Sequence, residues 1–257
     1  MTLHNNGDTM TTEINTLDQK LPTLSDKYKL AKTSEIVKRI EGLGFNMTSF
    51  VALKVRKKER QGYQKHRAIF TSPLMKATND GVPQLLLTNS HDGTSSVVLQ
   101  LGFFRYVCSN GLVVGSNLIE PVRVRHSGND FDDRLIVAIN FIVAQAEKLT
   151  ESIEKLKATK LSDAEILAFQ REALQKRLGD IKIESFSMPI HRTEDQANDL
   201  FTVMNVVQEN LIRGGARVIL EQDGKRKDKA IRRVNSLISQ TEINTMLWNL
   251  AEQKVAA

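Results

Sequence analysis

The chain has few of the residues and segments on which several protein classes depend. Its 257 residues include one cysteine, five prolines and one tryptophan, and only 5% are aromatic. A single cysteine excludes an internal disulfide and suits a reducing cytoplasm. No apolar run approaches the roughly 20 residues that span a bilayer, and the polar N-terminus lacks the basic and apolar regions of a signal peptide. We therefore expect a cytoplasmic protein with no membrane partner.

Common motifs of cofactor binding and catalysis are absent as well. The sequence has no GxxxxGK[ST], GxGxxG, HExxH or GxSxG segment. The first two bind phosphates or dinucleotides, and the last two hold a catalytic zinc or a nucleophilic serine. We therefore do not expect a P-loop ATPase, a dinucleotide-dependent oxidoreductase or a standard serine hydrolase, and we expect no cofactor.

Basic residues are in excess and concentrate in two clusters. Lysine and arginine number 36 against 30 acidic residues, a formal charge of +6, which favours an acidic partner such as nucleic acid. Each cluster can be a solvated face or a binding surface. The first cluster contains Lys54, Arg56, Lys57, Lys58, Arg60, Lys65 and Arg67. The second contains Arg213, Arg217, Lys225, Arg226, Lys227, Lys229, Arg232 and Arg233.

The N-terminal half has the pattern of a mostly antiparallel sheet. Residues 1–24 are polar, and we expect a disordered or extended tail there. Thr33 or Ser34 can then cap a short helix that ends at Gly42. Short links join the strand candidates, which predicts a sheet-rich core over residues 25–126. The five strand candidates are Met47–Arg56, His66–Thr71, Pro83–Thr88, Ser95–Phe103 and Ile119–Arg125.

From Asp130 onward, apolar residues recur every three or four positions. This period predicts a long amphipathic helix, Asp130–Leu156, packed against the sheet. A second helix begins with a capping-box pattern, Ser162 followed by Glu165. The fold class is therefore α+β, with a helical part over residues 127–257 that packs on the core or continues it as one domain. The later helices are predicted over Ser162–Leu178, Thr193–Arg213 and Thr241–Lys254.

The densest set of polar residues flanks the fourth strand candidate. Ser90, His91, Asp92 and Gly93 precede it, and Asp before Gly is a common hairpin pair. A second polar segment, residues 105–111, follows it. An unpaired buried polar group costs about 1–3 kcal/mol, so these side chains must be hydrogen-bonded or functional. We expect the two segments to lie close together, with Asp92 or His91 hydrogen-bonded into the second.

Some of these polar residues are candidates for catalysis. A cysteine beside a histidine can be a nucleophile, although the apolar neighbours of Cys108 favour a buried thiol. Arg105 suits either a carbonyl-bridging role or a phosphate contact. His126 adds a third histidine, but the histidines, Asp92 and Cys108 lack the tight spacing of metal ligands, so no metal site is predicted. The catalytic candidates are His66, His91, Asp92, Arg105, Cys108 and Asn110.

The first basic cluster surrounds a predicted hairpin tip and has the character of a single-strand-binding surface. Such surfaces combine cations that contact phosphates with an aromatic ring on which a base stacks, a role that Tyr63 can fill. The expected nucleic-acid contacts are Lys54, Arg56, Lys57, Lys58, Arg60, Tyr63, Lys65 and Arg67. The second cluster adds Lys225, Arg226 and Lys227.

Four segments carry a resemblance to a known family. They are Ser25–Tyr28 with Thr33–Val37 and Gly44–Phe45, then Lys65–Arg67, Ser90–Gly93 and Arg105–Gly111. In this order they resemble the opening segment, the "kH" strand, the "shDG" turn and the "R-x-x-C-x-N-G" segment of a phage- and plasmid-encoded family of unknown function. The resemblance implies a mobile-element protein working inside a bacterial cell, and it implies no particular activity.

Three functions remain open. The first is binding or annealing of single-stranded DNA in replication or recombination, without ATP and as a homo-oligomer, in broad outline similar to single-strand annealing proteins. The second is a hydrolytic or nucleotide-modifying enzyme, which requires the six catalytic candidates to meet in one pocket. The third is a counter-defence protein that binds a host protein.

Overall fold

The computed structural model describes residues 13–26, 28–106, 112–113, 122–124, 130–222 and 224–256. The predicted α+β class is confirmed. The chain divides into two compact units, Met1–Tyr106 with Ile119–Glu147 and Val107–Leu118 with Lys148–Ala257. Within the described ranges, no helix combines the length and the apolar character needed to cross a bilayer.

The first unit contains the antiparallel sheet that the sequence predicts. A helix, α1, precedes the sheet. The bounds are α1 Thr33–Gly42, β1 Asn46–Ala52, β2 His66–Thr71, β3 Gly81–Asn89, β4 Val97–Arg105 and β6 Val122–Val124; the two-residue strand β5, Leu112–Val113, falls in the second unit. Neighbouring strands pair antiparallel in the order β1, β2, β3 and β4, and β6 pairs with β4. The first strand stops four residues before its predicted end because the chain turns into a loop containing a short 3₁₀ helix, Lys58–Arg60.

The central strands of this sheet are buried on both faces. Consecutive residues Leu85, Leu86 and Leu87 of β3 are all buried, although they point alternately to opposite faces. Unbroken apolar runs of this kind are typical of strands covered on both sides. The predicted long helix is present as α2, Phe131–Ala158, and its Val137 lines a groove together with Val122 of β6. This places the start of α2 beside the sheet.

Residues 13–24 differ from the predicted disordered or extended tail. Residues 13–17 are helical, and Ile14, Leu17 and Leu21 are buried. The backbone N–H of Leu21 donates to the carbonyl of His91 at 3.0 Å. Ile14 and Leu17, three positions apart, lie on one face of this helix, and Leu21 follows after the helix ends. The polar average composition of the stretch conceals these buried side chains.

The second unit combines helices with a small sheet that the sequence analysis did not predict. The predicted capping box is present: Ser162 accepts from the N–H of Glu165, whose carboxylate accepts from the N–H of Ser162. The predicted helix from Thr193 begins only at Leu200, where Asp199 caps it. The bounds are α3 Asp163–Leu178, β7 Lys182–Ser187, α4 Leu200–Ile212, β8 Arg217–Gln222, β9 Lys225–Ala230 and α5 Leu237–Ala256.

The strands of the small sheet pair antiparallel in the order β7, β8 and β9. Every residue of β9 is exposed, so its sequence, KRKDKA, lacks the alternating apolar residues by which a strand is normally recognised. Pairing with β8 and the tight turn at Gly224, which has a φ of 67°, define it instead.

Candidate functional site

A buried polar cluster forms where α1 meets the ends of β2 and β3. His66 opens β2 and Asn89 closes β3, and the sheet register places them opposite each other. The hydroxyl oxygen of Thr33, the first residue of α1, lies 2.6 Å from His66 Nε2 and 3.3 Å from His91 Nε2. Asn89 Nδ2 donates to the same oxygen at 3.0 Å. Three separate segments of the chain thus meet at one hydroxyl group.

The hydrogen-bond partners assign the protons in this cluster. Nδ1 of His66 is 2.9 Å from the carbonyl of Gln64 and must carry the proton, because a carbonyl only accepts. Nε2 of His66 therefore accepts from the Thr33 hydroxyl. The Thr33 oxygen can then accept from Nε2–H of His91, which also lies 3.4 Å from Oδ1 of Asp18. Burial lowers the pKa of His66 to about 4, so this histidine is neutral at pH 7.

Asp18 connects the N-terminal segment to this cluster. Its two carboxylate oxygens accept from the backbone N–H groups of Thr33 at 2.6 Å and Ser34 at 3.0 Å. These N–H groups belong to the first turn of α1 and have no acceptor within the helix. The residue at the N-cap position, Lys32, makes no side-chain cap. Burial alone would raise the pKa of Asp18, but hydrogen bonds from His91 and from Ser34 and Thr33 hold it below its ordinary value.

The turn that follows β3 is held by its own side chains and by the first basic cluster. Asp92 accepts from the backbone N–H of Thr94 at 3.0 Å and from its hydroxyl at 2.5 Å. Arg60 Nη1 lies 3.7 Å from the same carboxylate. The hydroxyl of Tyr28 donates to the carbonyl of Ser90 at 3.2 Å, and burial, with the charge of Asp92 nearby, raises the pKa of Tyr28 to about 12.

Only part of the predicted catalytic set comes together. The rings of His66 and His91 lie 5.4 Å apart, and both side chains are 0% exposed. Arg105 pairs with Gly81, which lies at the opposite end of β3 from Asn89. At the rise of a strand, these two ends of β3 are about 26 Å apart. The prediction that residues 90–93 and 105–111 lie close is therefore wrong at Arg105, because an antiparallel pair puts the two ends of a strand far apart.

Two of the catalytic candidates, Cys108 and Asn110, lie outside the described residues, as does His126. Among the described residues, the side chain of His91 contacts Asp18 and Thr33, and that of Asp92 contacts Thr94 and Arg60. Arg105, from the second polar segment, is not one of these partners. Within the part of the chain that is described, no group of three or more His, Cys, Asp or Glu residues is arranged to hold a metal ion.

The first basic cluster occupies the loop between β1 and β2. Lys54, Arg56, Lys57 and Lys58 are exposed, and no described carboxylate forms an ion pair with them. Lys65 and Tyr63 are partly exposed. Arg67 differs from the rest, since it is only 7% exposed and its Nε donates to the hydroxyl of Thr88 at 3.2 Å. Burial lowers the pKa of Arg67 to about 10.

The second basic cluster lies largely on β9 and the residues after it. Lys225, Arg226 and Lys227 are exposed there. Arg226 Nε contacts a carboxylate oxygen of Glu184 at 2.6 Å, whereas Lys227 Nζ donates to the amide oxygen of Gln222 at 3.1 Å. The cations of this cluster therefore differ in how far their charge is already neutralised.

Sequence reasoning did not find Asp18 and Asn89, and it treated Thr33 only as a possible helix cap. No sequence pattern marks Asn89 as a site residue, because it stands at the end of an apolar strand. The signal for Asp18 was the spacing of Ile14, Leu17 and Leu21, which marks a segment that packs against the core and does not trail in solvent.

Comparison with known proteins gives a family without an assigned activity. A family model described as a domain of unknown function, DUF932, matches residues 20–242. The UPF0380 proteins YfjQ and YafZ of Escherichia coli strain K12 are each 30% identical to the chain over 238 residues, which cover 91% of this chain and 85% of each relative. No solved structure gave a significant match.

Proposed function

This chain belongs to the DUF932 family, and we propose that it binds single-stranded DNA through the loop between β1 and β2. The family description assigns no activity, so the proposal rests on the residues of this chain. The observation that carries it is the group of four exposed cations, Lys54, Arg56, Lys57 and Lys58, which has no carboxylate partner among the described residues.

The chemistry of the loop suits a phosphate backbone. Lysine presents a point charge on a flexible stem, and arginine can contact two phosphate oxygens at once. Contacts of this kind release counterions and give affinity without sequence preference. Tyr63, partly exposed at the end of the same loop, can supply the aromatic face on which a base stacks.

Hydrogen bonds connect the buried cluster to the last residues of this loop. The backbone N–H of His91 donates to the carbonyl of Tyr63 at 3.0 Å, and the ring Nδ1–H of His66 donates to the carbonyl of Gln64. Leu53 N–H donates to the carbonyl of Lys65 at 2.8 Å and closes the base of the loop. His66, one of the catalytic candidates, thus contacts this loop through its ring, and His91, another, contacts it through its backbone.

The proposal also includes the cellular location of the protein and the process in which it acts. We place the protein in the cytoplasm of a bacterial cell, as the product of a phage or plasmid, acting as a homo-oligomer in replication or recombination. Its mechanism needs no ATP, because binding and annealing of single strands depend on phosphate contacts and stacking.

A charge-reversal pair tests the loop. We expect Lys57→Glu with Lys58→Glu to weaken the binding of a labelled single-stranded oligonucleotide several-fold in fluorescence anisotropy. Across a salt series, the slope of log K against log salt should fall by about 1.4, since each phosphate contact contributes about 0.7. The control, Lys155→Glu with Lys157→Glu on α2, changes the charge equally and should alter binding little.

The possible outcomes distinguish a binding site on the loop from attraction of DNA by the net charge of the protein. Equal losses in both double variants would show that binding follows net charge and would contradict the loop as a site. Unchanged binding in both variants would also contradict it. Failure of the unsubstituted protein to bind single-stranded DNA at low salt would overturn the proposed function as a whole.

A hydrolytic or nucleotide-modifying enzyme is the second candidate. The observation that favours it is the convergence of His66 and His91, with Nδ1 of His91 buried and without a hydrogen-bond partner among the described residues. Complete burial of both rings counts against it, because neither side chain is exposed to a substrate in solution.

A further inference from the structure

We infer that β9 carries a second binding site for single-stranded DNA, in which Lys225, Lys227 and Lys229 contact the phosphate backbone. This inference rests on the proposed function and refines the second basic cluster. It assigns binding to one face of one strand, and it removes Arg226 from the set of contacts that the sequence predicts.

The alternation of a strand divides the charges of β9 between two faces. Successive side chains of a strand point to opposite sides, so Lys225, Lys227 and Lys229 share one face. The sheet register pairs Lys227 with Leu220 and Lys229 with Val218. The other face carries Arg226 and Asp228.

On the face of Arg226, the cations are already paired with carboxylates. Arg226 contacts Glu184 at 2.6 Å, Arg217 contacts Asp228 at 2.7 Å, and Lys182 contacts Glu221 at 2.5 Å. The hydrogen bond and the charge of Glu221 also raise the pKa of Lys182. Three cations and three anions therefore balance on this face, which leaves little net charge to attract a polyanion.

The lysine face has no such compensation. Within the described residues, no carboxylate forms an ion pair with Lys225, Lys227 or Lys229, and Lys227 bonds only to the neutral amide of Gln222. The Cα atoms of the three lysines follow one another at strand spacing, about 6.6–6.8 Å from one lysine to the next. All three are exposed, and β9 is the last strand in the order of its sheet, so a nucleic-acid strand can approach along it.

Lysine on an edge strand has another known role, since it discourages pairing with the sheet of a second molecule. The two roles predict different results when the charges are removed. A protective role predicts self-association, whereas a binding role predicts loss of DNA affinity and of its salt dependence.

Two matched triple variants test the inference in the full-length protein. One carries Lys225→Gln, Lys227→Gln and Lys229→Gln. The control carries Lys182→Gln, Arg217→Gln and Arg226→Gln, so each loses three positive charges from the same sheet. In anisotropy measurements with a labelled oligothymidylate, we expect the first variant to bind several-fold more weakly, with a salt slope reduced by about 2. The control should bind as the unsubstituted protein does.

Each alternative result overturns a defined part of the argument. Equal weakening of both variants would show attraction by net charge and overturn the assignment to one face. Unchanged DNA binding by the lysine variant, with or without self-association in size-exclusion chromatography, would overturn this inference while the loop proposal stands. Absence of binding by the unsubstituted protein would overturn the proposed function and this inference together.

Discussion

The hydroxyl oxygen of Thr33 and Nε2 of His66 lie 2.6 Å apart in the protein interior, 33 positions apart in sequence. This contact joins the start of α1 to the start of β2. Thr33 and His66 are both 0% exposed, so water cannot replace the bond if one partner is removed. His66 also donates through Nδ1 to the carbonyl of Gln64, near the end of the loop for which DNA binding is proposed, which connects the buried contact to that loop.

Thr33→Val should destabilise the protein by about 1–3 kcal/mol, because it leaves Nε2 of His66 buried without a donor. Valine has nearly the shape of threonine, so little of the loss would come from packing. The free energy of unfolding can be measured by urea denaturation at pH 7.

The matched control for this prediction is Thr48→Val. Thr48 also donates through its hydroxyl, to the carbonyl of Ile69 at 3.2 Å, but it is exposed. Its substitution should change the free energy of unfolding by no more than about 0.5 kcal/mol. Similar small effects at both positions would contradict a structural role for the buried cluster.

The stability of the protein should depend on pH through His66. Its pKa is about 4 when folded, against an ordinary value of 6.5, so between these values the unfolded chain takes up a proton that the folded chain does not. The free energy of unfolding is therefore highest above pH 6.5, and it falls by about 3 kcal/mol at most as the pH drops towards 4. Urea denaturation between pH 6.5 and 5, where carboxylates contribute less, should show the decline.

His66→Gln should flatten this part of the pH profile, whereas His191→Gln, which removes an exposed histidine, should leave it unchanged. The ring protons of His66 provide an independent check by NMR. A titration midpoint near 6.5 would contradict the buried, neutral state.

Gly93→Ala should destabilise the turn that ends in this glycine. Gly93 has a φ of 77°, and an added Cβ would lie 2.7 Å from Cδ2 of Leu24. Left-handed geometry alone costs roughly 1–2 kcal/mol for a residue with a side chain, and the contact with Leu24 adds to this. Thermal unfolding followed by circular dichroism gives the comparison.

Gly42→Ala is the control for Gly93. Gly42 is the last residue of α1, and an added Cβ there has no neighbour within 4 Å. Alanine should therefore be neutral or should stabilise the helix by up to about 1 kcal/mol. A larger loss at Gly42 than at Gly93 would contradict the turn geometry.

Much of the architecture could be predicted from local patterns. The strands β3 and β4 are marked by short apolar runs, α2 by the period of its apolar residues, and α3 by the capping box at Ser162. These signals are local, because each depends on residues within one or two turns of each other.

The arrangement of the site could not be predicted in the same way. Arg105 and His91 are close in sequence, but an antiparallel register carries Arg105 to the far end of β3. Thr33, His66 and Asn89 are far apart in sequence and meet only because the register of β2 and β3 and the position of α1 coincide. The β9 strand escaped prediction for a different reason, since it is defined by pairing and not by burial.

The cap that Asp18 supplies to α1 bears on how this protein is to be produced for study. A shortened protein that began at Lys20, where the family match starts, would lack Asp18 and the buried side chains of Ile14 and Leu17. The N–H groups of Thr33 and Ser34 would lose their acceptors, and His91 would lose its carboxylate. Weak DNA binding by such a truncated protein would then reflect a damaged scaffold, and expression boundaries need to precede Glu13.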